Sequence, residues 1–423
     1  MDEESVPTTS STAKWLIPVV AIVLIGMLIY RSAEDNLRQV WQIHTFFDED
    51  KRIERFRHLE RIMPVRHIRR SGPTYDFERD MRELNTAYDY NGENRSVAEF
   101  LDHTVTTGLL VVKDDRIVAE RYFHGNTEDS LNTSMSVVKS FVSALVGIAI
   151  DEGLISGVNR PITDYVPQLR GSGYDGVPIK HVLQMSSGVK FDEVYEDFFS
   201  DINMLFYKVF GFGQSINTYM ASLKPEHPSG ETSYYRSCDT QALGMLVSEV
   251  TGKTLSAYLE EKIWSKIGME YDAFWCTDAH GTELAFAFLN AAVRDYAKFG
   301  MLYLHDGNWN GEQIVPASWV RESVVPDNPN LQPGKKPEAY WTFTTFGYQY
   351  QWWIPDDPDG EFLAIGVWGQ YIYVYPKKNL VIVKTSVDPR FADNDFEHDD
   401  ETVAMFRSIA AHLSDRLEVY ESS

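Results

Sequence analysis

The chain has 423 residues, with 39 Lys and Arg against 62 Asp and Glu, for a formal net charge of −23. An acid excess of this size argues against general nucleic-acid binding, which needs a basic face to neutralise phosphate. Hydrophobic residues at 43% and aromatics at 13% exclude a disordered chain and allow a sizeable core, while two cysteines, Cys238 and Cys276, are too few for a disulfide framework and read as small buried residues.

Residues 1–14 form a polar tail. Residues 15–30 carry no charge, are bracketed by Lys14 and Arg31, and have Trp15 and Tyr30 at their ends. They are slightly short of the ~20 residues that span a bilayer, and the aromatic ends suit its two interfaces, so a single membrane anchor is expected. The acidic leader (Asp2, Glu3, Glu4) and the lack of a small-residue cleavage site speak against a secretory signal. Lys14 on one side balances Arg31 and Arg38 on the other, which leaves orientation open. Residues 31–95 read as a charged connecting region. Within it, 51–70 is basic, with Ile53, Phe56, Leu59, Ile62 and Met63 at near-helical spacing, a pattern that fits an anionic membrane surface or a helix packed on its own domain.

A single domain is expected over 96–423. Its first element is a hairpin, 109–112 with 117–120, joined through Lys113-Asp114-Asp115-Arg116. An apolar helix over 141–150 follows, ending near Gly153, with Asn132, Thr133 and Ser134 as cap candidates. Further helices are predicted over 241–250, closed by Gly252, and over 291–305. Residues 362–365, 371–375 and 380–386 alternate like strands, with Pro376-Lys377-Lys378-Asn379 as a turn, and a last helix is predicted near 402–417. Strands at both ends with helices between them predict an α+β fold in which the two ends share one sheet and the helical part is inserted.

The chemistry concentrates at Ser136-Val137-Val138-Lys139, at the mouth of the apolar helix. A spacing of three brings a hydroxyl and an amine onto one helical face, as a nucleophile and its base require. About one chance Ser-x-x-Lys is expected in a chain this long. Copies also occur at Ser11 and Ser187, but only Ser136 has a buried helix behind it. His398, Asp399 and Asp400 look metal-like by composition, yet adjacent residues point apart, and a solvated acidic turn is expected instead. No Gly-x-Ser-x-Gly elbow is present.

In this order the motifs resemble the serine beta-lactamase and penicillin-binding-protein superfamily, and most of all its esterase and 6-aminohexanoate-dimer hydrolase branch, over about 96–417. Ser136 to Lys139 is similar to the nucleophile motif, His181 to Gly188 to a recurrent loop, and Tyr235-Arg236-Ser237 to the second motif. Arg294 to Gly300 is similar to a further family segment, and Gly366-Val367-Trp368-Gly369-Gln370 to the branch's substitute for Lys-Thr-Gly. The resemblance implies a beta-lactamase/transpeptidase-like antiparallel sheet with helices on both faces. It implies Ser136 as nucleophile, Lys139 as base, Tyr235 in the proton relay, and the backbone N–H groups of Ser136 and Val367 as the oxyanion hole. It implies no metal or cofactor, a small ester or amide as substrate, and a domain facing the periplasm or the outside.

Val367 and Trp368 in place of Lys-Thr-Gly, and Ser237 where many relatives carry asparagine, weaken the case for beta-lactam chemistry. Ser237, Trp368 and Trp352, the last from an aromatic run of Trp341, Phe343, Phe346, Tyr348, Tyr350, Trp352 and Trp353, are the candidate pocket residues. The reading is a serine hydrolase, with beta-lactamase or penicillin-binding activity as one alternative and a silent binding protein of the same fold as another. The natural substrate and oligomeric state are not fixed by these residues.

Overall fold

The predicted strands from both ends of the domain join in one sheet. The computed structural model describes Thr45, Asp48 and residues 51–195, 197–334, 345–356, 358–393 and 397–421. The sheet has eight strands, numbered here along the chain: β1 Glu78–Arg79, β2 Thr106–Lys113, β3 Arg116–Tyr122, β4 Gly347–Gln349, β5 Trp352–Ile354, β6 Phe362–Gly366, β7 Gln370–Tyr375 and β8 Leu380–Ser386. The order across it is β4-β5-β6-β7-β8-β2-β3-β1. The two ends meet at β8 and β2, where Leu380 pairs with Lys113 and Lys384 with Leu109. Neighbours are antiparallel except at the edge, where the two-residue β1 runs parallel to β3.

The β2–β3 turn explains itself. Asp114 and Asp115 have φ of 52° and 61°, the left-handed pair that matches the twist of a two-residue hairpin loop and that aspartate tolerates. Along β2, side chains alternate between two cores. Leu110 and Val112 face the core that contains Phe141 and Phe299. Leu109 and Val111 face the one that contains Phe406 and Ile409.

Five helices matter here: α1 Val97–His103, α2 Val138–Asp151, α3 Ser237–Thr251, α4 Val293–Leu304 and α5 Glu397–Glu421. Every residue of α2 from Val138 to Ala149 is buried, as its unbroken apolar run requires. Phe141 stacks on Phe299 of α4 with ring centroids 3.6 Å apart. Helix α4 lies close on the sheet because Gly300 has no side chain; a Cβ there would come within 2.7 Å of Val381 and 2.9 Å of Ile372. Helix α3 ends as expected at Gly252, which takes a left-handed φ of 65°. On the opposite face, α5 starts five residues earlier than the sequence pattern predicts and sets Phe406 against Tyr373.

A second, four-stranded sheet was not anticipated. It orders Val65–Ile68, Ala273–Cys276, Leu289–Ala291 and Asn132–Thr133 side by side. Strands of two to four residues carry too little alternation to be read in advance. This sheet fixes the chain entering α2: the Ser134 N–H donates to the Leu289 carbonyl at 2.7 Å. The Tyr296 hydroxyl lies within hydrogen-bonding distance of the carbonyls of Asn132 (2.8 Å) and Leu289 (2.9 Å). Cys238 and Cys276 are buried free thiols.

The N-terminal expectations need correction. From Arg52 onward the supposed connecting region belongs to the folded body: Phe56, Leu59, Met63 and Ile68 are buried in one core and Leu84 and Tyr88 in the other. Its apolar spacing serves packing, not a membrane surface. The expected span at 15–30 lies outside the described residues. Among the described residues no helix is long and apolar enough to cross a membrane. The membrane-anchored assignment, and the periplasmic or extracellular placement tied to it, therefore find no support in any described helix and are not kept.

Because Phe141 is fully buried and stacked, Phe141→Ala is expected to destabilise the fold by about 3–5 kcal/mol. Urea unfolding followed by circular dichroism measures this; a change under about 1 kcal/mol would contradict the packing described.

Candidate active site

The chain turns sharply into α2. Met135 has a φ of 42°, a left-handed setting that costs a non-glycine residue about 1–2 kcal/mol. Residues Met135–Val137 form a tight 3-10 turn, and no side chain caps this helix end. Asn132 and Thr133, expected as caps, lie in the small sheet, and Ser134 Oγ donates instead to the Met135 carbonyl at 2.9 Å. No capping side chain competes for the first amides of the turn.

Ser136 and Lys139 meet as their spacing predicts, with Nζ 2.8 Å from Oγ. Lys139 is 2% exposed. Its Nζ also donates to Ser237 Oγ at 3.1 Å and to the Phe286 carbonyl at 2.9 Å. Burial drives its pKa down from 10.5 to about 7, against the opposing pull of the Glu193 carboxylate and Cys238. The Tyr235 phenol hydrogen-bonds to Ser136, and burial, the largest influence, raises its pKa, keeping it a neutral donor. Lys139 Nζ lies 5.0 Å from the Tyr235 ring centroid. Trp353 stacks on that ring at 5.3 Å and Tyr348 meets it edge-on at 6.1 Å, which fixes the phenol's direction.

Glu193 is the residue the sequence reading missed. It is 1% exposed, and its two oxygens accept from the Ser237 hydroxyl at 2.5 Å and the Ser237 N–H at 2.8 Å, with Tyr195 donating at 3.0 Å. Burial raises its pKa, opposed by Lys139 and the Ser237 bonds. No motif marks it: Glu193 stands among acidic neighbours in a stretch whose composition reads as loop. Ser237, proposed as a pocket residue, is 2% exposed and instead bridges Glu193 to Lys139.

A cleft opens on Ser136 and is lined by Tyr195, Tyr235, Trp353, Ile365, Gly366, Val367, Gly369, Phe391 and Asp399. Gly366 lets β6 lie against the Ser136 turn. A Cβ there would meet the Ser134 carbonyl at 2.5 Å and the Ser136 nitrogen at 2.9 Å. This close approach brings Val367 beside Ser136.

Two pocket expectations are corrected. Trp352 is fully buried between Phe299, Tyr303 and Phe362. Alternation along β5 sends its neighbour Trp353 to the cleft instead. Trp368 does not line the cleft; it packs on Phe391 and Phe56. The acidic turn expected at 398–400 is also not solvated. It opens α5, with His398 Nδ1 2.6 Å from Asp388 Oδ2, and Asp399 accepting from the Tyr371 hydroxyl at 2.5 Å. Burial first, then Asp400 and Asp388, pushes Asp399 up to about 7 despite the Tyr371 bond. Among the described residues no group of three or more His, Cys, Asp or Glu is placed to hold a metal ion.

Gly366→Ala is expected to wedge β6 away from the Ser136 turn and slow labelling of Ser136 by a fluorophosphonate about a hundredfold, with the fold kept. Labelling rates against melting temperature test this. A folded variant that labels at the wild-type rate would remove the close approach from the account.

Comparison with known proteins identifies the family and the fold. The beta-lactamase family profile matches residues 94–403. The 6-aminohexanoate-dimer hydrolase of Paenarthrobacter ureafaciens is 32% identical over 305 residues, covering 70% of this chain and 76% of that protein. A solved structure from Bacillus anthracis, provisionally designated a 6-aminohexanoate-dimer hydrolase, superimposes with a TM-score of 0.75 at 26% identity, over 88% of this chain and 96% of that one. The class C beta-lactamase of Rhodobacter sphaeroides shares the fold at 15% identity, with a TM-score of 0.52 over 75% of this chain and 97% of its own. The chain therefore belongs to the beta-lactamase family, and within it is a serine hydrolase.

Proposed function

We propose that this chain cleaves an ester or amide through an acyl-enzyme on Ser136. The observation that carries the reading is the buried amine of Lys139, 2.8 Å from a serine hydroxyl that opens on a cleft and is also bonded to a phenol. A neutral amine has two N–H donors and one lone pair. The Ser237 hydroxyl and the Phe286 carbonyl take the donors, so the lone pair faces Ser136.

In this reading Lys139 accepts the Ser136 proton as Oγ attacks the carbonyl carbon. The oxyanion forms against the backbone N–H groups of Ser136 and Val367. Collapse breaks the bond to the leaving alcohol or amine, which takes a proton from the Tyr235 phenol, and the Lys139 ammonium returns a proton to the phenol. Water then attacks the acyl-enzyme and loses its proton to the same relay, which hands it to Ser136 Oγ as the acyl–oxygen bond breaks and the acid leaves. Glu193 acts against Lys139: its carboxylate, one hydroxyl away, favours the ammonium and so sets the pH at which the base becomes free.

The cleft bears on the substrate. Its described lining is aromatic and aliphatic apart from Asp399 and the catalytic hydroxyls, with no Lys, Arg or His among the described residues that line it. That disfavours the carboxylate of a beta-lactam and suits an apolar body with a neutral or cationic end. Of the 6-aminohexanoate dimer named for the Paenarthrobacter relative, the aliphatic chain and the ammonium end fit such a pocket, while its carboxylate finds no cation among the described lining residues.

Ser136→Ala is expected to abolish turnover of short-chain nitrophenyl esters and labelling by a fluorophosphonate; persistent labelling would refute the nucleophile. A fluorescent penicillin is expected to leave the wild-type protein unlabelled. The rate of acylation is expected to rise with pH through Lys139's pKa of about 7, because only the amine accepts a proton. Glu193→Gln removes the charge that favours the ammonium, so this limb is expected to move about one unit lower. A pH–rate profile that stays in place or moves upward would exclude that role for Glu193.

A further inference from the structure

We infer that Arg52 and Phe56, on the short helix Arg52–Arg57 ahead of the family-matched region, are positioning residues for the Val367 turn, acting through the indole of Trp368. The inference rests on Val367 serving as an oxyanion donor.

The β6–β7 turn needs outside support. Trp368 and Gly369 have φ of 67° and 80°, and a bulky residue does not hold a left-handed setting unaided. The Trp368 carbonyl is held by the Asp388 N–H at 3.1 Å and by Gln370 Nε2 at 3.0 Å. The indole is clamped from two directions. Phe391 lies 5.0 Å from it on the cleft side. On the other, Phe56 meets it edge-on at 5.8 Å, and the Arg52 guanidinium sits 4.9 Å over its ring.

Arg52 and Phe56 are themselves buried, at 8% and 4% exposure, so the clamp is built from fixed groups. Helix 52–57 also packs on strand Asn132–Thr133, which leads directly to Ser136. One helix thus touches the supports of both proposed oxyanion donors. Val367 is bonded directly to Trp368, so a swing of the indole is delivered to its peptide. The spacing of two donors around a developing oxyanion tolerates little displacement.

The test compares Arg52→Gln, Arg52→Lys and Phe56→Ala with the wild-type chain in hydrolysis of a short-chain nitrophenyl ester. A trifluoromethyl ketone serves as the probe, because its tetrahedral adduct with Ser136 places an oxygen in the hole. Arg52→Gln and Phe56→Ala are expected to lower kcat about tenfold with KM changed less than twofold, short of the about hundredfold loss from deleting a donor. Affinity for the ketone is expected to fall in parallel, and Arg52→Lys to recover most of both. Unchanged kcat in folded variants would overturn the inference. So would a kcat loss without weaker ketone binding, since general loosening would not be selective for the tetrahedral state. If Phe56→Ala does not fold, the arginine pair decides alone. Failure of the wild-type chain to form the ketone adduct at Ser136 would instead count against the proposed function itself.

Discussion

The arrangement depends on a single energetic constraint: the amine of Lys139 is held out of water. An ammonium in that position loses its hydration, and three neutral acceptors and one more distant carboxylate do not replace it. The fold's response is to favour the uncharged amine, the form that the proposed reaction asks of it. The apolar character of α2, the aromatic stacking over Phe141 and the close docking of α4 on the sheet all serve to keep that region dry. The packing of the core is in this sense part of the chemistry.

How much of this was legible depended on the kind of signal. Helix α2 and the Ser136–Lys139 contact could be read because a long apolar run and a spacing of three have one geometric meaning. The central hairpin and the three C-terminal strands could be read from alternation. The joining of the two chain ends in one sheet followed from element order and is borne out at β8 and β2. The small sheet around 132–133 was invisible because its strands are too short to show a period.

The misses have physical causes. Trp352 and Trp353 are adjacent on one strand and must face opposite ways, but alternation alone does not say which face is the cleft. Glu193 sits in a loop of acidic residues, and burial, which distinguishes it, is a property of the folded chain. The turn at 398–400 has a surface-like composition, yet Asp399 is drawn inward by the Tyr371 hydroxyl. Around 52–63 the spacing that fits a membrane face equally fits a protein core, and here the core takes it.

The sheet order has a consequence for how the enzyme comes into being. The pairing of Lys113 with Leu380 joins segments separated by the whole helical layer, and β6, which carries the approach to Ser136, lies beyond that layer too. The approach of Gly366 to the Ser136 turn does not exist on a chain still lacking its C-terminal strands, however well the early helices have formed. Closing so distant a pairing makes assembly slow relative to local structure, so the wall of the cleft beside Ser136 is completed only with the final zip of the sheet.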